Sequence, residues 1–146
     1  MSAANRRRGA DAERSVVAYL RAQGWPDARR YLAGDGRQPG DIDWHPLVCL
    51  EVKDRESSSW PSWCRQAAAE APRGTVPAVV RRTRGVTDPG RWECRVRRWE
   101  WVTVLGHDKW DLRTPWKLVI DDTGDEWPWM VLTLADLVAA VREVDA

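Results

Sequence analysis

Two carboxylates and one ammonium gather in the stretch 39–53, PGDIDWHPLVCLEVK: Asp41, Glu51 and Lys53. Asp41, Asp43 and His45 alternate with Ile42 and Trp44, and Cys49, Glu51 and Lys53 alternate with Val48, Leu50 and Val52. Side chains change face at every residue of a strand, so this spacing predicts two short strands, each with an apolar and a polar face. Pro46 marks the turn between them. Folding back there sets Asp41 level with Glu51 to Lys53 as cross-strand neighbours. Such oxygen ligands suit Mg²⁺, which is commonly held by one or two carboxylates together with waters and phosphate oxygens. A metal so placed acidifies its water and offsets charge on a phosphoryl oxygen. A lysine beside it orients that water and stabilises developing negative charge. The plainer alternative is an exposed strand face carrying a Glu–Lys pair.

Two features favour the chemical reading. Of 23 Lys and Arg residues only Lys53, Lys109 and Lys117 are lysines. A chain that otherwise uses arginine has the compact donor at this position, and the two are not interchangeable near a metal. The acids also interrupt an apolar run, and buried charges require partners or metals. A third acid belongs with them. Glu13, Val16, Val17 and Leu20 are spaced as one helical stripe, which puts Glu13 on the buried face of its helix. Facing the metal site, as ligand or orienter of water, is one reason for an acid there; a first-turn residue favoured by the helix dipole is the other.

The elements that must position these residues follow from the same pattern. Residues 1–8, with Arg6, Arg7 and Arg8, read as a basic tail, mobile in the free protein. A helix is expected from Gly9 to Gln23, ended by Gly24. A short strand near Arg29 to Leu32 and a Gly-rich loop, AGDGRQPG, then deliver the chain to Asp41. A second helix is expected over 61–71, capped by Ser58 or Ser59, with Gln66 either facing the site or simply exposed. Val76 to Val80 reads as a strand that runs into Arg81, Arg82 and Arg84. Residues 91–104 look β-like with a mixed period, and 117–132 read as a hairpin turning at Asp122 to Gly124. Thr133 and Asp136 resemble a capping box that opens a last helix reaching Val144.

At 146 residues the chain is expected to be one domain: the tail 1–8, a catalytic core 9–85 and a C-terminal extension 86–146. No run of 18 apolar residues exists and none follows the N-terminal arginines, so neither a membrane span nor a secretory signal is expected. Cys49, Cys64 and Cys94 lack Cys-x-x-Cys spacing and read as small buried hydrophobes in a reducing, cytoplasmic compartment. The net charge of +1 conceals an asymmetry. Residues 1–84 hold 15 Lys and Arg against 10 Asp and Glu, a balance of +5, while the remainder is at −4. The excess basic charge thus lies in the half that holds the acids, as in a phosphate-binding surface around a metal; ordinary scatter of charge is the plainer alternative. Among the aromatics are 11 Trp, 2 Tyr and no Phe. These tryptophans suit a core, a dimer interface or stacking on unpaired bases. His45 and His107 form no ligand motif, although His45 shares a face with Asp41.

Glu13 on a first helix, then Gly40-Asp41-Ile42, then Glu51-Val52-Lys53, resembles the PD-(D/E)xK nuclease superfamily, and within it the archaeal-type and bacteriophage Holliday-junction resolvases. NRRRGADAERSVVAYLRAQGW (Asn5 to Trp25) is similar to their first helix and its basic lead-in, and PAVVRRTRG (Pro77 to Gly85) to their strand after the second helix. The likeness covers residues 5–85. It departs from the usual form in that Gly40 separates Pro39 from the acid, an arrangement some phage members share. The resemblance implies a restriction-endonuclease-like α/β fold: a mixed β-sheet flanked by helices with an α-β-β-β-α-β core, here followed by a Trp-rich β/α extension. It implies Mg²⁺ or Mn²⁺ held by Asp41, Glu51 and the backbone carbonyl of Val52, Lys53 positioning the water, and Glu13 completing the site. The implied reaction is hydrolysis that resolves four-way junctions in double-stranded DNA, carried out by a homodimer in the cytoplasm, or in the host's cytoplasm for a phage-encoded chain. Arg6, Arg7, Arg8, Arg81, Arg82 and Arg84 are the expected DNA contacts. Another nuclease of the superfamily, acting on flaps, nicks or a restriction target, and a non-catalytic DNA-binding or assembly protein are the alternatives.

Overall fold

In a computed structural model, which describes residues 2–32, 38–57, 59–106, 117–119 and 127–146, the first helix starts earlier than its apolar stripe suggests. Ser2 caps it, its side chain accepting the Asn5 N–H at 3.1 Å, and α1 runs Ala3–Ala22. The arginine triplet is therefore helical, not a mobile tail. Ala and Arg are good helix formers, and with a capping serine they extend the helix past the last residue the core needs. Ala12, Val16, Val17 and Leu20 form its buried stripe.

Three strands follow: β1 (Arg29–Arg30), β2 (Ile42–Asp43) and β3 (Val48–Lys53). β1 pairs antiparallel with β2, and β2 antiparallel with β3, with Ile42 opposite Leu50. Next come α2 (Trp60–Glu70) and β4 (Val76–Arg81), which lies parallel to β3. The first six elements thus take the order α-β-β-β-α-β. Ser59 stands at the N-cap position of α2 but makes no side-chain capping bond; Ser58, like the loop 33–37, lies outside the described residues.

Beyond β4 the mixed period at 91–104 resolves into two elements. β5 (Glu93–Arg97) keeps strict alternation, and α3 (Arg98–Thr103) begins where Trp99, Trp101 and Val102 break it. β6 (Lys117–Val119) pairs antiparallel with β7 (Trp129–Thr133), the two arms of the expected hairpin; its turn at Asp122 to Gly124 lies outside the described residues, as do His107 and Lys109. α4 (Leu134–Asp145) opens on a reciprocal capping box between Thr133 and Asp136. One mixed sheet in the order β1-β2-β3-β4-β5-β7-β6 joins all the described strands, so β5, β6 and β7 continue the sheet begun by β1 to β4.

Helices cover both faces. α1 and α4 bury Val16, Leu20, Leu137 and Val141 against Leu50, Val52, Ala78, Val80 and Met130. On the opposite face Trp60, Trp63, Cys64 and Ala67 of α2 pack on Val79 and Trp129. This is why β3 and β4 read as nearly continuous apolar runs: a strand covered on both sides has no solvent face. Among the described residues six tryptophans are buried, whereas Trp99 and Trp127 are exposed and stacked on one another, ring centroids 4.6 Å apart. All three cysteines are buried and free. No described helix is long and apolar enough to cross a membrane.

Gly40 fixes how the chain enters β2. Its φ is +75°, and a Cβ there would stand 2.7 Å from the Leu50 carbonyl oxygen. Gly40, which separates Pro39 from Asp41, is thus a residue that the close approach to β3 demands. Gly40→Ala combines a left-handed backbone with a backbone clash, so it should cost about 1–3 kcal/mol. Urea unfolding of the variant would measure this; an unchanged midpoint would contradict the close approach.

Candidate active site

Register places the candidate residues. With Ile42 opposite Leu50, the next pair outward is Asp41 and Glu51, just beyond the end of β2. There the edge of β3 has no strand partner. Asp41 fills the gap with its own atoms: its N–H donates to the Leu50 carbonyl at 2.8 Å, and its Oδ2 accepts the Val52 N–H at 2.8 Å. A side chain here does a strand's work. Carbonyls alternate between the two edges of a strand, and the Lys53 carbonyl accepts the Arg82 N–H on the β4 side. The Val52 carbonyl therefore points to the other edge, next to Asp41, where no strand residue stands opposite.

Glu51 is 5% exposed. It lies within hydrogen-bonding reach of two further carboxylates, Asp41 and Glu70, the last residue of α2. Burial, then the Asp41 charge, then the hydrogen-bond contacts push its pKa up to about 9. Burial first, with the Glu51 charge next, also pushes the Cys49 thiol on the same strand face up to about 12, so that thiol is inert.

Glu13 enters from α1. Its Oε2 accepts from Arg30 Nε at 2.7 Å. Desolvation raises its pKa, the Arg30 hydrogen bond opposes that, and the Asp41 charge adds to the rise. Glu13, Asp41, Val52 and Lys53 line one cleft of about 270 Å³ together with Arg6 and Arg30. No described carboxylate lies within ion-pair distance of the Lys53 ammonium, which leaves it available to a ligand.

The structure therefore brings Asp41 and Glu51 into contact, sets the Val52 carbonyl beside them, and places Glu13 and Lys53 in the adjoining cleft. Glu13 does not touch the other two acids. Arg30 occupies its carboxylate, which suits an orienting role better than that of a ligand. Arg6 lines the same cleft, while Arg8, Arg81, Arg82 and Arg84 gather in a neighbouring one and Arg7 lines neither. His45 turns away, its ring bonded to the Leu47 N–H and to Asp145. Two residues were missed by sequence reasoning. Arg30 gave no local signal, since its partner is 17 residues away. Glu70 gave a faint one, as an acid at a helix C-terminus faces the negative end of the dipole. Gln66, which had drawn attention, donates to Glu70 at 3.1 Å.

The donor set fits a hard divalent cation. Among the described residues no three His, Cys, Asp or Glu side chains form a ready cage. Mg²⁺ does not require one, since two carboxylates, a carbonyl and waters satisfy it. A buried carboxyl group crowded against two other acids is the arrangement a cation would relieve.

Glu51 binds its proton more tightly folded than unfolded, so between about pH 5 and the raised value near 9 the folded state holds the extra proton and stability falls as pH rises. Metal-free protein should melt progressively lower across that range. Glu51→Gln should flatten the trend and melt higher than the parent at pH 8 in EDTA. Mn²⁺ should raise the parent's melting temperature and leave the variant's unchanged. Parallel pH profiles for the two proteins would contradict the carboxylate crowding.

Set against family models, curated proteins and solved structures, the chain matches none, so its activity has to be read from its own geometry.

Proposed function

We propose that this chain is a metal-dependent, structure-selective DNA endonuclease of restriction-endonuclease-like fold that resolves four-way junctions. The observation that carries the reading is the hydrogen bond from the Val52 N–H to Asp41 Oδ2, which couples Asp41, Glu51 and the Val52 carbonyl at one strand edge. Acidic side chains around a carbonyl, next to an ammonium and a group of arginines, form a site for a cation and a phosphate together.

Asp41, Glu51 and the Val52 carbonyl would hold Mg²⁺ or Mn²⁺. When bound, the ion supplies a water of lowered pKa and charge neutralisation at the phosphoryl group. Lys53 donates to the attacking water and to a non-bridging phosphoryl oxygen, stabilising negative charge as it develops. Arg30 holds the Glu13 carboxylate toward the cleft, where it orients water. Water attacks phosphorus in line and gives up a proton to solvent; the new P–O bond forms as the P–O3′ bond breaks, the leaving 3′ oxygen takes a proton from solvent water, and the 5′ end keeps the phosphate.

A four-way junction has approximate two-fold symmetry, and its resolution takes two matched cuts. A C₂ homodimer would supply the two sites. Asp41→Asn and Glu51→Gln should each abolish Mg²⁺-dependent cutting, while binding to a synthetic junction in EDTA or Ca²⁺ stays within a few-fold of the parent. Junction DNA should be cut far faster than duplex of the same sequence. Equal cutting of junction, flap and nicked duplex would favour a nuclease of other selectivity, and normal cutting by either variant would remove these carboxylates from the chemistry.

A further inference from the structure

A second cleft of about 290 Å³ adjoins the first, sharing Asp54 and Arg55 with it. It lies where β4 ends. Five arginines line it against two carboxylates, Asp54 and Glu56. The loop after β3 carries those acids and is bound in place, since the Arg81 guanidinium donates at 3.1 Å to the carbonyls of Arg55 and Glu56. Arg82 lies 5.7 Å over the Trp92 ring and 3.6 Å from Asp54. The Glu56 carboxylate sits between two arginines from different elements: it accepts from Arg84 past β4, and it is 3.8 Å from Arg8 on α1.

We infer that this cleft takes a backbone phosphate of the nucleic acid, and that Glu56 occupies the phosphate's place in the free protein. A carboxylate and a phosphate present similar oxygen acceptors to guanidinium groups, and arginine pairs with either. The arginines outnumber the acids, and they come from α1 and from the end of β4, so together they span the cleft. Glu56 is 69% exposed, so its two ion pairs are weak and can be exchanged for a better anion without unfolding anything. A phosphate that enters returns Glu56 to solvent and keeps both arginines paired. Glu56 therefore lowers affinity for any strand, and it does so near the site where cutting would occur. The choice of nucleic acid as partner rests on the proposed nuclease reading; the binding test does not require cutting.

Binding of a labelled four-way junction and of matched duplex is measured by fluorescence anisotropy in EDTA over a series of salt concentrations. Glu56→Gln should bind both about threefold to tenfold tighter, and its plot of log affinity against log salt should steepen by about one to two, because two arginines now meet phosphate from an unpaired state. Asp11→Asn breaks another exposed pair, Asp11 with Arg14, makes the same charge change and lines neither cleft. It reports the general electrostatic effect and should fall short of Glu56→Gln. Introducing Glu56→Gln into Arg84→Ala should give a smaller gain than in the parent. A gain no larger than that of Asp11→Asn, or one undiminished in Arg84→Ala, overturns the inference. If the Glu56 effect appears in a protein that cuts nothing, only the nuclease reading fails. If the protein cuts but Glu56→Gln binds as the parent does, only the phosphate inference fails. No binding by any form ends both.

Discussion

At the edge of β3 a carboxylate stands where a strand ought to be. β2 is two residues long, and Asp41, just before it, pairs with β3 through one main-chain bond and one side-chain bond. Had β2 been longer, the Val52 carbonyl would be spent on a ladder hydrogen bond. Had Asp41 been apolar, the Val52 N–H would be left without a partner at a cost of about 1–3 kcal/mol. The short strand and the acid depend on one another, and the open edge beside Val52 exists only because of both. Gly40 belongs to the same constraint, since a side chain there would push the chain off Leu50 and carry Asp41 with it.

Glu51 shows the price of this arrangement. The rest of β3 is packed on both faces, and an apolar residue at this position would add to the core. Instead a carboxylate is buried against Asp41 and within reach of Glu70, which itself stands at the unfavourable end of a helix. None of these placements helps folding. Nearby ion pairs that do have partners, Arg97 with Glu100 at 2.7 Å or Arg30 with Glu13, show that the fold can satisfy buried acids when it needs to. Glu51 instead meets two further acids, and that crowding is informative. Under the nuclease proposal stability and function pull this residue in opposite directions, so a substitution that stabilises the protein is also the one expected to inactivate it.

What the sequence made legible was whatever repeats with a local period. The alternation at 48–53, the stripe of α1 and the capping box at Thr133 all lie within a few residues, and each corresponds to an observed element. The level pairing of Asp41 with Glu51 could be read because a strand pair with a tight turn has only one natural register. The start of α1 was not legible from its stripe, because the helix outruns its buried face and the capping and propensity that extend it over the arginine triplet leave no apolar period. Nor was the switch at Arg98, where β5 passes into α3 without a loop residue and a mixed period is all the chain shows. Arg30 and Glu70 could not be found by any local rule. Arg30 meets Glu13 only once β1 lies against α1, and Glu70 meets Glu51 only once α2 has packed on β3, and such contacts have no spacing to read.

That docking explains why the basic residues sort as they do. α1 is rigid from Ala3 onward, so successive arginines point in different directions. Arg6 shares a face with Gly9, Ala10 and Glu13 and lines the acidic cleft; Arg8 turns to the neighbouring cleft at the end of β4; Arg7 does neither. A mobile tail would have offered all three to the same phosphate. A helix divides them, and the division follows the line from the carboxylates at the edge of β3 to the arginines at the exit of β4. Lys53 and Arg81 are paired neighbours on the parallel strands β3 and β4, so the two clefts are tied at that register. Parallel strands end on the same side of a sheet, and here that side collects both the acids that suit a cation and the arginines that suit the anion it would act on.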